Sequence, residues 1–101
     1  MRACIPVILL SSAFSSFATL AQETHLARNL AATCATCHGT NGHARGALSP
    51  LAGMRAQQLL EAFADFKSGA RPATVMHQIA KGFTEEQISL MASYFAAQRT
   101  P

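Results

Sequence analysis

Apolar residues recur at helical spacing in three stretches of the chain, and the stretches between them show no period. Over 24–34, Leu26 and Leu30 lie four apart with Ala27 and Ala31 beside them, which predicts a short helix with one apolar face and Cys34 at its end. Over 55–68, Leu59, Phe63 and Phe66 follow at spacings of four and three, flanked by Leu60, and Gly69 is the natural stop. The last helix is the clearest. Thr84 caps it, Gln87 completes a capping box, and Ile88, Met91, Ala92, Phe95 and Ala96 form the apolar stripe. Between these two helices Arg71-Pro72 disfavours helix, and a short helical turn over 75–81 ends at Gly82. Residues 36–49, with Gly39, Gly42 and Gly46, carry no hydrophobic period and read as loop. No segment alternates with period two, so the expected fold is all-α, three main helices joined by short helical turns.

The N-terminus has a different pattern. Arg2 supplies a positive charge, residues 3–10 are mostly apolar, and residues 11–21 are small and hydroxyl-rich, the layout of a secretory signal. Cleavage is expected after Ala21, with Thr19 three positions earlier; Ala18 with Ser16 is the second choice. As a membrane anchor the run is too short and too interrupted by Pro6 and the serines, since a span needs about 20 apolar residues. The expected organisation is therefore a signal over 1–21 and one exported, periplasmic domain over 22–101, with no stable membrane insertion after cleavage. About 80 residues bury a marginal core, and domains of that size usually need an internal staple. The formal net charge is +3, but the charges are scattered, which argues against a nucleic-acid partner.

Candidate chemistry is concentrated in "TCATCHGT", residues 33–40, where Cys34 and Cys37 stand three apart and His38 follows directly. Such a run serves a dithiol redox pair, a metal site or a covalently attached haem. A thioredoxin-like pair belongs beside a strand-helix-strand pattern, and none is visible. A structural zinc site wants four ligands, whereas His25, His43 and His77 are single and scattered. Haem attachment uses all three residues at once. Thiols three apart fall on one side of a helical turn, where they can add to two vinyl groups of one porphyrin and tether the next histidine under the iron.

The second axial position is open to a methionine, a histidine or nothing. Met91 belongs to the apolar stripe of the last helix as core filler, and Met54, directly after "PLAG", reads as a packing or capping contact. Met76 stands in an irregular stretch between Val75 and Ile79, far enough along the chain to return over the opposite haem face, and is the favoured ligand. Its neighbour His77 then points elsewhere, and His25 and His43 read as solvated. A Met/His pair raises the reduction potential and fills the iron.

These residues resemble the class I c-type cytochromes, specifically the short bacterial ones, over nearly all of the domain. The marks are "CATCHG", the "PLAG" turn and "TVMHQIAKGFTEEQISLMASYF", residues 74–95, and that last stretch is most similar to the cytochrome subunits of flavocytochrome c, the sulfide dehydrogenases. The resemblance implies a small class I fold around one haem c bonded to Cys34 and Cys37, with His38 and Met76 as axial ligands of the iron. It also implies first and last helices that cross near one haem edge, with Leu30 and Phe95 as candidates for the crossing. In the family a proline carbonyl takes the other N–H of the proximal histidine. That proline aligns with Ser49, whereas the proline here is Pro50, which leaves two candidate acceptors. The implied function is single-electron transfer rather than catalysis, with redox proteins as partners, among them an FAD-containing sulfide-oxidising subunit. A diffusing shuttle to a terminal oxidase is the alternative. A gas-binding haem protein fits less well, because in that bundle type the attachment motif lies near the C-terminus.

Overall fold

The structure, a computed structural model, describes residues 15–100. Five α-helices follow in order: α1 (Ser15–Ala32), α2 (Ala35–His38), α3 (Ala56–Ser68), α4 (Met76–Lys81) and α5 (Glu85–Ala96), with a 3-10 turn at Thr40–Gly42. No strand occurs among the described residues. The expected all-α architecture of three main helices and short turns is the one observed.

The first helix starts earlier than its apolar pattern. Strong helix formers around Leu20–Ala21–Gln22–Glu23 carry it back to Ser15, through the expected cleavage position. Every side chain from Thr19 to Leu26 is exposed, and packing begins at Ala27. Of the expected apolar face, Ala27 and Ala31 are buried and Leu30 is partly covered, whereas Leu26 is exposed. Alanines allow a close approach, and α1 packs on α5 beside the buried Phe95. Of the signal expected over 1–21, residues 1–14 lie outside the described residues. No described helix is long and apolar enough to cross a membrane.

The other helices follow the sequence closely. On α3, Leu59 and Phe63 are buried, and Gly69 closes the helix in a left-handed conformation, its N–H donating to the Phe66 carbonyl. On α5 the capping box forms in full: the Gln87 N–H donates to Thr84 Oγ1 at 3.2 Å, and the Thr84 N–H donates to Gln87 Oε1 at 2.9 Å. Ile88, Met91, Ala92 and Phe95 are all buried along one face.

The segment read as loop over 36–49 is partly helical, since α2 and the 3-10 turn fall in it. Hydrogen bonds rather than hydrophobic periodicity organise it. The Gly42 carbonyl accepts the N–H groups of Leu51 and Ala52 at 2.9 and 3.1 Å, and the Gly53 N–H donates to the Phe95 carbonyl at 2.9 Å. These bonds fix the "PLAG" turn between the 3-10 turn and the end of α5. His43 is exposed, yet its ring lies within hydrogen-bonding distance of the Thr40 carbonyl at 3.1 Å and the Arg99 carbonyl at 2.7 Å. It therefore ties the C-terminal segment to this loop.

Candidate functional site

Between α2, the "PLAG" turn, α3 and α4 lies a cavity of about 430 Å³ with a mostly apolar lining that includes Leu51, Leu59, Phe63, Phe66, Ile79 and Phe95. Cys34, Cys37, His38 and Met76 all stand on its wall. Residues on either side of α3 in the sequence are thus brought to one chamber. Met91 is fully buried in the core and stays off the lining, while Met54 is a half-buried wall residue packed against that core. His77 faces a different hollow from its neighbour Met76.

The turn that carries the thiols is built locally. Cys34 sits at the N-cap of α2 and Cys37 within it, and the His38 N–H donates to the Cys34 carbonyl at 2.9 Å, so the two sulfurs stand one turn apart. Gly39 then turns the chain with φ +81, and a Cβ there would collide with the His43 carbonyl. Only glycine lets the backbone pass so close after the histidine.

The orientation of His38 is fixed from below. Its Nδ1 lies 2.7 Å from the Ser49 carbonyl oxygen, which can only accept, so Nδ1 carries the proton. Nε2 keeps its lone pair. Of the two candidate acceptors, Ser49 is the one used, and the bonds from Leu51 and Ala52 to Gly42 hold that stretch in place.

Burial pushes the Cys34 thiol above its ordinary pKa; the Thr33 hydroxyl beside it pulls the other way, and Cys37 adds a small rise. Dithiol redox centres need the opposite, a lowered pKa that maintains a thiolate. The cavity instead fits a large apolar group held at two thiols. A neutral imidazole with a free Nε2, two sulfurs one turn apart, a thioether and hydrocarbon walls are the donor set that could hold a covalently attached haem.

One part of the wall carried little signal in the sequence. Residues 71–75 line the cavity, although the segment reads only as a connection. The hint was Arg71-Pro72, since extended chain is what can cross a cavity mouth between two helices. The bond from Tyr94 Oη to Asn41 Oδ1 at 2.6 Å was also missed; it depends on Asn41 adopting φ 54, which asparagine tolerates.

No protein-family model matches the chain. Among curated proteins it is 42% identical over 66 residues to the cytochrome subunit of sulfide dehydrogenase from Chlorobaculum tepidum, covering 65% of this chain and 60% of that one. It is 33% identical over 70 residues to cytochrome c-554(548) of Halomonas halodenitrificans, covering 65% of this chain and 84% of the relative. Among solved structures, cytochrome c4 of Acidithiobacillus ferrooxidans superposes with a TM-score of 0.64 at 28% identity, over 76% of this chain and 48% of the other. The chain therefore spans about 60% of the sulfide dehydrogenase subunit and about half of cytochrome c4. Because the match to the Halomonas protein takes in most of that relative, and the cavity presents its two thiols and imidazole on one wall, this chain belongs to the class I c-type cytochromes, whose cofactor is haem c.

Proposed function

We propose that this chain is an exported electron carrier holding one haem c, bonded through Cys34 and Cys37, with His38 Nε2 and Met76 as axial ligands. The observation that carries the reading is the bond from His38 Nδ1 to the Ser49 carbonyl at 2.7 Å on the wall of an apolar cavity. That bond commits Nδ1 and leaves Nε2 for iron, and it raises the basicity of the ring. Bound there, the haem supplies one-electron chemistry between ferrous and ferric iron. The protein's own groups do the rest. Leu59, Phe63 and Phe95 would exclude water from the cavity, the thiols of Cys34 and Cys37 would fix the group's position, and the Met76 thioether would ligate the iron and raise its potential.

The partner we infer is an FAD-containing, sulfide-oxidising flavoprotein, a reading supported by the likeness to the sulfide dehydrogenase subunit. A stopped-flow mixture of the oxidised carrier with such a flavoprotein and sulfide is expected to reduce the haem without a mediator. Reduction no faster than by sulfide alone would refute this partner. The signal boundary is tested by mass spectrometry of the coloured protein, expected to begin near Gln22; an intact Met1 would refute it.

Axial ligation is tested with Met76→Ala and Met54→Leu, both on wall residues. Oxidised wild type is expected to show the weak sulfur-to-iron absorption band. Met76→Ala loses that band, lowers the potential and opens the iron to carbon monoxide, whereas Met54→Leu keeps it. The band persisting in Met76→Ala and vanishing in Met54→Leu would reverse the assignment.

A further inference from the structure

Behind the wall that closes the cavity lies a second hollow, of about 320 Å³. Phe66, Arg71, Pro72 and Ala73 line both spaces. Its lining includes the small residues Ser68, Gly69 and Ala73. All the ionisable groups on its lining are basic: Lys67, Arg71, His77 and Lys81.

The fold gathers these basic side chains from separate places. Lys67 lies in the last turn of α3, Arg71 follows the helix stop at Gly69, and His77 and Lys81 stand one turn apart on α4. Two are held from outside the hollow. Lys67 Nζ donates to the Phe83 carbonyl at 2.8 Å and to Glu85 at 3.0 Å. Arg71 donates from one Nη to Asp65 at 3.2 Å and lies over the Phe66 ring, 5.4 Å from its centroid. That bond uses only part of the guanidinium fork. Asp65 and Glu85 thus offset Arg71 and Lys67, while among the described residues Lys81 has no carboxylate partner and the His77 ring makes no hydrogen bond.

We propose that this hollow binds a small tetrahedral oxyanion of the phosphate or sulfate type. Arg71 offers it directional N–H donors, Lys67 and Lys81 offer charge, and a ring N–H of His77 completes the set. The small side chains of Ser68, Gly69 and Ala73 on the lining leave room for the oxygens. Because the Arg71–Ala73 segment also walls the cavity, an anion here lies beside the haem and favours the more positive, ferric state. The effect on potential rests on the proposed electron-carrier function; the binding does not.

The test titrates inorganic phosphate into the reduced holoprotein at constant ionic strength, balanced with sodium chloride, and follows phosphorus NMR line width and the midpoint potential. Wild type is expected to bind saturably, with a potential that falls to a plateau. Lys81→Ala is expected to weaken binding by about tenfold, the loss of one charge-assisted contact, while Arg45→Ala, away from the hollow, leaves it unchanged. Unsaturable broadening, or equal weakening in both variants, would mean general screening and overturn the site. Saturable binding abolished in Lys81→Ala, with no movement of the potential, would support the site and count against the haem beside it.

Discussion

Replacing Met91 with alanine separates a methionine that holds the fold from Met76, the one we propose as iron ligand. Met91 is 0% exposed, and its cluster mates Ile88, Ala92 and Phe95 are each 1% exposed. Buried Met→Ala changes cost about 2–5 kcal/mol, the higher figures arising where the surroundings cannot collapse into the gap. Here the neighbours are fixed along α5 and backed by Ala31 and Leu59, so a loss of about 3–5 kcal/mol is expected, only a few tenths of it recovered from the better helix propensity of alanine. A loss of 3 kcal/mol is roughly a hundredfold in the unfolding equilibrium, a large share of the ~5–15 kcal/mol that stabilises a typical domain. Guanidinium titration of the holoprotein, followed by far-UV circular dichroism, measures it. The midpoint should fall sharply while the native protein keeps its sulfur-to-iron band, and Met91→Leu should cost less than about 1.5 kcal/mol. A Met91→Ala protein that loses under 1 kcal/mol, or that folds but lacks the band, would refute the reasoning.

Gly42 has φ +79, and a Cβ there would lie 2.6 Å from the Ala52 nitrogen and 2.9 Å from Phe95 Cδ1; Gly42→Ala is expected to cost about 3 kcal/mol or more in thermal unfolding. Gly46→Ala, at the same φ of +79 but with nothing within 4 Å, should cost about 1–2 kcal/mol, and equal losses would show that crowding at Gly42 is not the cause. Thr84→Ala removes half of the α5 capping box and should lower stability by about 1 kcal/mol, with Thr84→Ser largely restoring it. In haem-free protein the raised pKa and burial of Cys34 predict slower alkylation than at exposed Cys37 at neutral pH. Its rate should climb as pH rises toward the raised pKa, and faster labelling of Cys34 at neutral pH would contradict the burial.

Periodicity and capping made the fold legible where burial is decided along one helix. The Ile88, Met91, Phe95 stripe and the Thr84–Gln87 box are local patterns, and both occur as the sequence implies. The pattern misled at Leu26 on α1, which is exposed while the smaller Ala27 and Ala31 are buried and Leu30 packs at the edge of the core, because interhelical distance as well as hydrophobicity selects the inward face. Over 36–49 the structure rests on carbonyls, such as that of Gly42, which no side-chain pattern reports. The site follows the same division. The spacing of Cys34, Cys37 and His38 is readable because one helical turn sets it, while the choice of Ser49 over Pro50 as acceptor depends on the path of a loop. Met76 and His77 were separable in sequence only by argument about a turn; in three dimensions they face different spaces.

The core explains why such a chain would be built around a cofactor. Among the described residues, Ala27, Ala31, Ala80 and Ala92 are four of the nine buried hydrophobics, and alanine buries little area at ~25 cal/mol per Å². Small residues let α1 and α5 approach but leave the stabilisation thin. The larger side chains Leu59, Phe63 and Phe95 belong at once to that core and to the cavity wall. Any apolar group filling the cavity is therefore continuous with the core rather than an addition to its surface. Phe95 makes the connection most directly, since its carbonyl holds the "PLAG" turn, its ring limits Gly42, and the same residue lines the chamber. A single packing position thereby couples the packing of α1 on α5 to the loop that orients His38, so stability and the orientation of that imidazole are set by the same contacts.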